Sequence, residues 1–159
     1  MREIFHSVLV LFMLCLLLAV MPVGAKHTEI SDVTRSLSDM INSSEEFAVE
    51  LTIDGGTPCV VGIVETIPVG FSFPDIDEDV CTSCGFELDR KNRKISFSAI
   101  DVATITYHVV APSSAGVAGT FAGQWVDLLV QTPELDEGKE RWNTVTGDES
   151  ILTVIYDEN

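Results

Sequence analysis

Three cysteines beyond the N-terminal segment are the first candidates for chemistry in this chain. Cys59, Cys81 and Cys84 would tend to pair in an oxidising environment, and an odd number leaves one over. If the chain reverses at the turn formed by residues 68–70, Cys59 approaches Cys81. We therefore rank Cys59–Cys81 first, Cys59–Cys84 second and Cys81–Cys84 third. A structural disulfide of this kind typically adds about 2–4 kcal/mol.

The same cysteines allow two rarer readings. Cys81 and Cys84 form a CxxC motif, which in redox enzymes opens a helix that lowers the thiol pKa. Here Gly85 and a strand-like segment follow, so the supporting helix is missing. A zinc site needs four ligands, and the three cysteines would need His108 as the fourth. A small redox protein and a zinc domain are therefore the weaker alternatives.

An acidic segment offers oxygen ligands for calcium. Asp75, Asp77 and Asp79 alternate along the chain, as at the start of an EF-hand loop. That loop requires Gly at its sixth position and Glu at its twelfth, where this chain has Val80 and Phe86. The EF-hand is excluded, and a looser calcium site at Asp75, Asp77 and Asp79 is the alternative to a solvated acidic loop.

Catalytic motifs are missing from the rest of the sequence. It has no Gly-x-Ser-x-Gly elbow, no phosphate-binding glycine loop and no HExxH motif. Only His27 and His108 follow the N-terminal segment. We therefore expect no enzyme and no cofactor, with calcium as the one exception kept open.

The elements that carry these residues are predicted to be strands. In residues 47–53, apolar and mostly polar side chains alternate, which is typical of a half-buried strand. Similar segments separated by turn residues recur along the chain. Residues 30–40 could form a strand or a short helix, and their serines and threonines favour a first strand. Gly119 and Gly123 lie on the same face of an extended segment as Phe121. A glycine at such a position suggests that a backbone or an aromatic ring packs closely against it. About seven short strands predict an all-β, antiparallel sandwich.

The N-terminus predicts export. Arg2 precedes an apolar run over residues 8–21, Pro22 ends it, and residues 23–25 supply the small residues of a cleavage site. We expect a signal-peptide helix at residues 1–25 and one domain at residues 26–159. An uncleaved N-terminal membrane anchor is the alternative, although the run is shorter than the roughly 20 residues of a spanning helix.

The formal net charge of −16 excludes nucleic acid as a partner, because phosphate backbones are bound by Lys and Arg. A basic cluster at residues 90–94 is read as a charged hairpin turn. Asn42 opens an Asn-Ser-Ser sequon, a glycosylation candidate that is consistent with export.

The sequence resembles the Ig-like repeat domains of archaeal and bacterial cell-surface proteins, especially those of methanogens. One motif is Glu65, two residues, then Pro68-x-Gly70-Phe71. The matching stretches are residues 34–37, 47–53, 64–73, 105–107, 111–112, 119–121 and 147–148. The resemblance implies an Ig-like sandwich and a non-enzymatic module that spaces, displays or adheres. This chain differs in having one copy and in adding cysteines.

Together these observations predict a secreted or cell-surface Ig-like β-sandwich with a structural or adhesive role. Its expected partner is another surface protein or a glycan. A calcium- or zinc-binding extracellular domain and a CxxC redox protein are the alternatives.

Overall fold

The computed structural model describes residues 29–56, 59–81, 85–129 and 142–154. Within them the chain forms twelve strands and one short helix. The strands are β1 (Asp32–Ser36), β2 (Met40–Asn42), β3 (Glu46–Asp54), β4 (Val60–Thr66), β5 (Gly85–Asp89), β6 (Lys94–Ile100), β7 (Thr104–Val110), β8 (Ala118–Thr120), β9 (Ala122–Asp127), β10 (Asn143–Thr144), β11 (Thr146–Gly147) and β12 (Ser150–Val154), and helix α1 is Asp77–Val80. The predicted signal peptide, residues 1–25, lies outside the described residues.

The strands form a β-sandwich of two main sheets. One has four strands in the order β11-β1-β3-β7, and the other has five in the order β10-β9-β4-β6-β5. A third, small sheet has the order β2-β12-β8. The predicted all-β sandwich is confirmed. No described helix is long and apolar enough to cross a membrane.

Side-chain alternation explains why these segments form strands with one dry face. In β3, Phe47, Val49, Leu51 and Ile53 are buried and the residues between them are exposed. The strand β4 buries every second residue in the same way. Successive side chains of a strand point to opposite faces, so each main sheet contributes one apolar face to a shared interior.

Aromatic rings fill the interior between the sheets. The rings of Phe47, Phe71 and Phe121 pack edge to face, with centroids 6.2–6.4 Å apart. Phe97 of β6 packs on Tyr107 of β7 with centroids 5.4 Å apart, so it joins the two sheets. Such ring pairs add about 0.5–1.5 kcal/mol each beyond the area that they bury.

The strand count and directions differ from the prediction in two respects. The described residues contain twelve strands rather than about seven, because several are only two or three residues long. Two pairs are parallel, β1 with β11 and β2 with β12, where an antiparallel arrangement was expected. The predicted first strand near residues 30–40 is present as β1 and β2, with a break between them at residues 37–39.

Candidate functional site

Arg35 and Glu65 form a buried ion pair between the two main sheets. Arg35 lies on β1 and is 1% exposed, and Glu65 lies on β4 and is fully buried. Arg35 Nε donates to Glu65 Oε2 at 2.9 Å and Nη2 donates to Oε1 at 2.8 Å. The Tyr107 hydroxyl donates to Oε2 at 3.2 Å, and Arg35 Nη1 donates to the Asp148 carbonyl at 3.1 Å. Both carboxylate oxygens therefore have partners.

Burial and charge act against each other in this cluster. Burial raises the pKa of Glu65, although the hydrogen bonds and charge of Arg35 act to lower it. Burial acts to lower the pKa of Arg35, but the hydrogen bond and charge of Glu65 outweigh it and the pKa is raised. Burial, with the charge of Glu65, raises the pKa of Tyr107 well above its ordinary value. The cluster keeps Tyr107 neutral and joins the sheets.

Gly123 and Phe121 are two neighbours of the ion pair. Gly123 leaves space for it, and Phe121 contacts the Arg35 guanidinium. A Cβ at Gly123 would overlap with Glu65 Oε1 and would lie 2.7 Å from Arg35 Nη2, so only glycine fits there. The Arg35 guanidinium lies 5.7 Å from the centre of the Phe121 ring, at the distance of a cation–π contact. A close approach at Gly123 is confirmed, but the approaching group is the Glu65 carboxylate rather than the expected backbone or ring. At Gly119 it is Pro68 and the Phe71 ring.

Sequence reasoning missed Glu65 as a buried charge. It shares the inward parity of Val61 and Ile63 on β4, and an acidic residue at such a position signals a buried partner. The partner itself, Arg35, is 30 residues away and could not be read from spacing.

The cysteines do not pair as expected. Cys59 is a free, buried cysteine whose backbone N–H donates to Asp101 Oδ1 at 2.8 Å. Both pairs that include Cys59, with Cys81 and with Cys84, are therefore wrong. The reason is that β4 pairs with β6 and β9 rather than with the chain after the residue 68–70 turn. Cys81 is buried and disulfide-bonded, and Cys84 lies outside the described residues.

The acidic segment is closed by an arginine. Arg90 Nη2 lies 2.6 Å from Asp77 Oδ1 and 2.6 Å from the Pro74 carbonyl, and Nη1 lies 3.3 Å from the Phe73 carbonyl. The Arg90 guanidinium thus contacts both the Asp77 carboxylate and the carbonyl oxygens of Phe73 and Pro74. Among the described residues no three His, Cys, Asp or Glu side chains are grouped for a metal ion. Calcium binding at Asp75, Asp77 and Asp79 stays a prediction, and it would require Arg90 to leave.

His108 and Asn42 are the two further candidates from the sequence. The His108 ring Nδ1 lies 3.0 Å from the Asp79 carbonyl, at the contact between β7 and helix α1. Asn42 ends β2 and is half-buried, with its side-chain oxygen buried and without a hydrogen-bond partner. Its modification stays a prediction.

The outward side of the five-stranded sheet, here called the outer face, carries an exposed apolar row. Val60 of β4 pairs with Ile100 of β6, and the Leu128 N–H donates to the Val60 carbonyl at 2.8 Å. Ile100 is 68% exposed and Leu128 is 54% exposed. Next to this row Gly62 has no side chain, and its neighbour across the sheet is Val126. The outer face is therefore flat and apolar at this end.

A pocket of about 400 Å³ lies at the other end of the outer face. Its polar lining is contributed by β4, β6, β8, β9 and the chain from β10 to Glu149, and it comprises Thr66, Lys94, Thr120, Gln124, Thr144 and Glu149. Val64, Ala122 and Val145 add apolar surface. Trp142, two residues before Thr144, is 40% exposed. The described residues thus present one continuous face with an apolar end and a polar pocket.

The comparisons with known proteins identify no family. No family model matches the sequence, and no curated protein matches it. Among solved structures, the chain is similar to the ASH / PapD-like domain of human CEP192 (PapD-like domain 7). The identity is 13%, the match covers 87% of this chain and 97% of that chain, and the TM-score is 0.36. The fold described above rests on the strand pairings of this chain itself.

Proposed function

We propose that this chain is an exported, non-enzymatic module that binds a component of the cell exterior through its outer face. The observation that carries the proposal is the apolar row of the half-buried Val60 and the exposed Ile100 and Leu128, on the same sheet as a pocket. Isolated apolar residues are normal on a surface, whereas contiguous exposed ones mark contact sites.

The placement of the polar groups supports a binding role over a catalytic one. Arg35, Glu65 and Tyr107, the polar side chains that form the buried cluster, are bonded to one another and hold the sheets together. The polar side chains around the pocket are three threonines, the Gln124 amide, Lys94 and Glu149. Groups of this kind orient a ligand by hydrogen bonds.

Export is supported by the three-part N-terminus at residues 1–25. The test is to express the full chain in a secretion-competent host and to determine the N-terminus of the released protein by mass spectrometry. We expect a first residue of Lys26. Protein that stays with the membrane and begins at Met1 would contradict the export step.

Binding is tested with purified residues 26–159 and isolated cell envelope of the producing organism, separated by sedimentation. We expect the wild type to sediment with the envelope. Ile100→Ser or Leu128→Ser should weaken binding by about tenfold, equivalent to about 1.4 kcal/mol, because each removes an apolar side chain from the contact.

Val69→Ser is the matched control, because Val69 is 73% exposed but lies in the turn after β4, away from the row. It should bind like the wild type. A wild type that stays in the supernatant, or three variants that bind equally, would overturn the proposal.

A further inference from the structure

We infer that the pocket on the outer face binds a neutral saccharide segment. The inference rests on the proposed function and names the ligand class of the same face. The pocket has a volume of about 400 Å³, which lies within the range of small-ligand sites, ~300–1,000 Å³.

The hydrogen-bonding groups of the pocket match sugar hydroxyls. Thr66, Thr120 and Thr144 supply hydroxyls that both donate and accept, and Gln124 supplies an amide that does the same. They come from different strands, since Thr66 lies on β4, Gln124 on β9 and Thr144 on β10. A ligand with hydroxyls on several sides of a ring can therefore bond to several strands at once.

The charges favour a neutral ligand over an anionic one. Lys94 and Glu149 give the lining one positive and one negative side chain. The whole chain has a formal net charge of −16, so an anionic saccharide would be repelled before it reached the pocket. Lys94 can donate to a sugar oxygen and Glu149 can accept from a sugar hydroxyl.

The remaining surface suits the apolar C–H faces of sugar rings. Val64, Ala122 and Val145 line the pocket between the polar groups. Trp142 lies two residues before Thr144 in the chain and is 40% exposed. A partly exposed tryptophan has an apolar ring and a polar N–H, and it suits a ligand that has both apolar and polar surface.

The test uses residues 26–159 and a panel of neutral trisaccharides of glucose, N-acetylglucosamine, mannose and galactose, with a galacturonate trimer as the anionic arm. Binding is followed by amide chemical shifts and by tryptophan fluorescence at millimolar ligand. We expect shifts at Thr66, Gln124 and Thr144 with at least one neutral trisaccharide and none with the anionic one. No shift with any neutral member, or shifts with the anionic trimer alone, overturns the inference.

Variants separate the pocket from the rest of the face. Thr144→Val keeps the side-chain shape and Gln124→Ala truncates an exposed amide, so both should fold, which circular dichroism verifies. Each should weaken trisaccharide binding by about fivefold or more, because a bonded polar group is lost. Ser98→Ala, on β6 of the same sheet but outside the pocket lining, should leave binding unchanged. Equal affinity in all three variants would contradict the inference.

Treated envelope distinguishes failure of this inference from failure of the proposed function. Periodate oxidises vicinal diols, and a protease removes surface protein. Envelope that loses binding after periodate but keeps it after protease supports a saccharide. The reverse result overturns the saccharide and leaves the proposed surface-binding function standing, whereas no binding to untreated envelope overturns that function itself.

Discussion

Arg35 and Glu65 connect the two main sheets through the interior, with Nε–Oε2 and Nη2–Oε1 distances of 2.9 and 2.8 Å. In antibody domains a disulfide between the sheets has the corresponding cross-linking role. Here the cross-link is ionic, and Cys59, which the sequence offered for a disulfide, is a free thiol. The consequences of this arrangement can be measured.

Removing one partner of the ion pair should lower the free energy of unfolding far more than removing both partners. Arg35→Met leaves the Glu65 carboxylate buried without its cation and should lower the free energy of unfolding by about 3–5 kcal/mol in urea denaturation. The double variant Arg35→Met/Glu65→Leu should recover most of that loss, because no charge is left buried. Lys91→Met, at an exposed position, serves as the control. A double variant less stable than Arg35→Met would contradict this account.

Gly123→Ala should destabilise the protein because the new Cβ would overlap with the Glu65 carboxylate. Overpacking of a core costs about 1–3 kcal/mol, and we expect a loss at the upper end in thermal or urea unfolding. Gly85→Ala is the matched control, because the nearest atom to its Cβ would be the Ser98 carbonyl oxygen at 3.8 Å. Equal effects at the two glycines would argue against the close packing at Gly123.

Tyr107 should make the protein sensitive to alkaline pH. Burial raises the pKa of the folded phenol, so between its ordinary value of about 10 and the raised value only the unfolded chain ionises. The contribution of the neutral Tyr107 phenol to the free energy of unfolding is therefore complete below pH about 10, and it is lost as the pH rises towards the folded pKa. Urea denaturation across this range should show stability falling more steeply in the wild type than in Tyr107→Phe. Parallel curves would count against the raised pKa.

Arg90→Met should loosen the acidic segment without unfolding the domain. The ion pair with Asp77 is exposed, so the free energy of unfolding should change by less than about 1 kcal/mol. The carbonyls of Phe73 and Pro74 would lose their donor, and hydrogen exchange of the backbone amides near helix α1 should become faster. Lys91→Met again provides the control, and unchanged exchange in Arg90→Met would show that the arginine does not hold the loop.

The Cys59 thiol should be unreactive in the native protein. It is buried in the apolar interior, and a thiol reagent needs an accessible thiolate. Titration with Ellman's reagent in denaturant should find one more thiol in the wild type than in Cys59→Ala, and the native proteins should show no such difference. Rapid native reaction that disappears in Cys59→Ala would place the sulfur at the surface instead.

The alternation of side chains predicted much of the fold. Residues 47–53 lie within strand β3 and have the expected buried set, and the turn at residues 68–70 is present, with Gly70 at a φ of +92°. The glycine at position 123 marked a close approach before its partner was known. These features are local, because they depend on the backbone geometry of a few consecutive residues.

The candidate sites were less predictable, because they depend on contacts between distant segments. The Cys59–Cys81 pair assumed a hairpin about the turn, but β4 pairs with β6 and β9. Arg90 contacts Asp77 from 13 residues away, a contact that the spacing of the acidic residues did not indicate. The outer-face pocket joins four strands and the chain around β10, and no short pattern describes it.

The sequence by itself determined which segments extend and which side chains turn inwards, because period-two alternation is a local property of an extended backbone. Only the tertiary structure decided which strands are neighbours, and with them that Arg35 meets Glu65 and that Ile100 lines up with Val60 and Leu128. Strand order is a property of the whole chain, since it follows from burying all the apolar faces at once against the entropy of closing every loop.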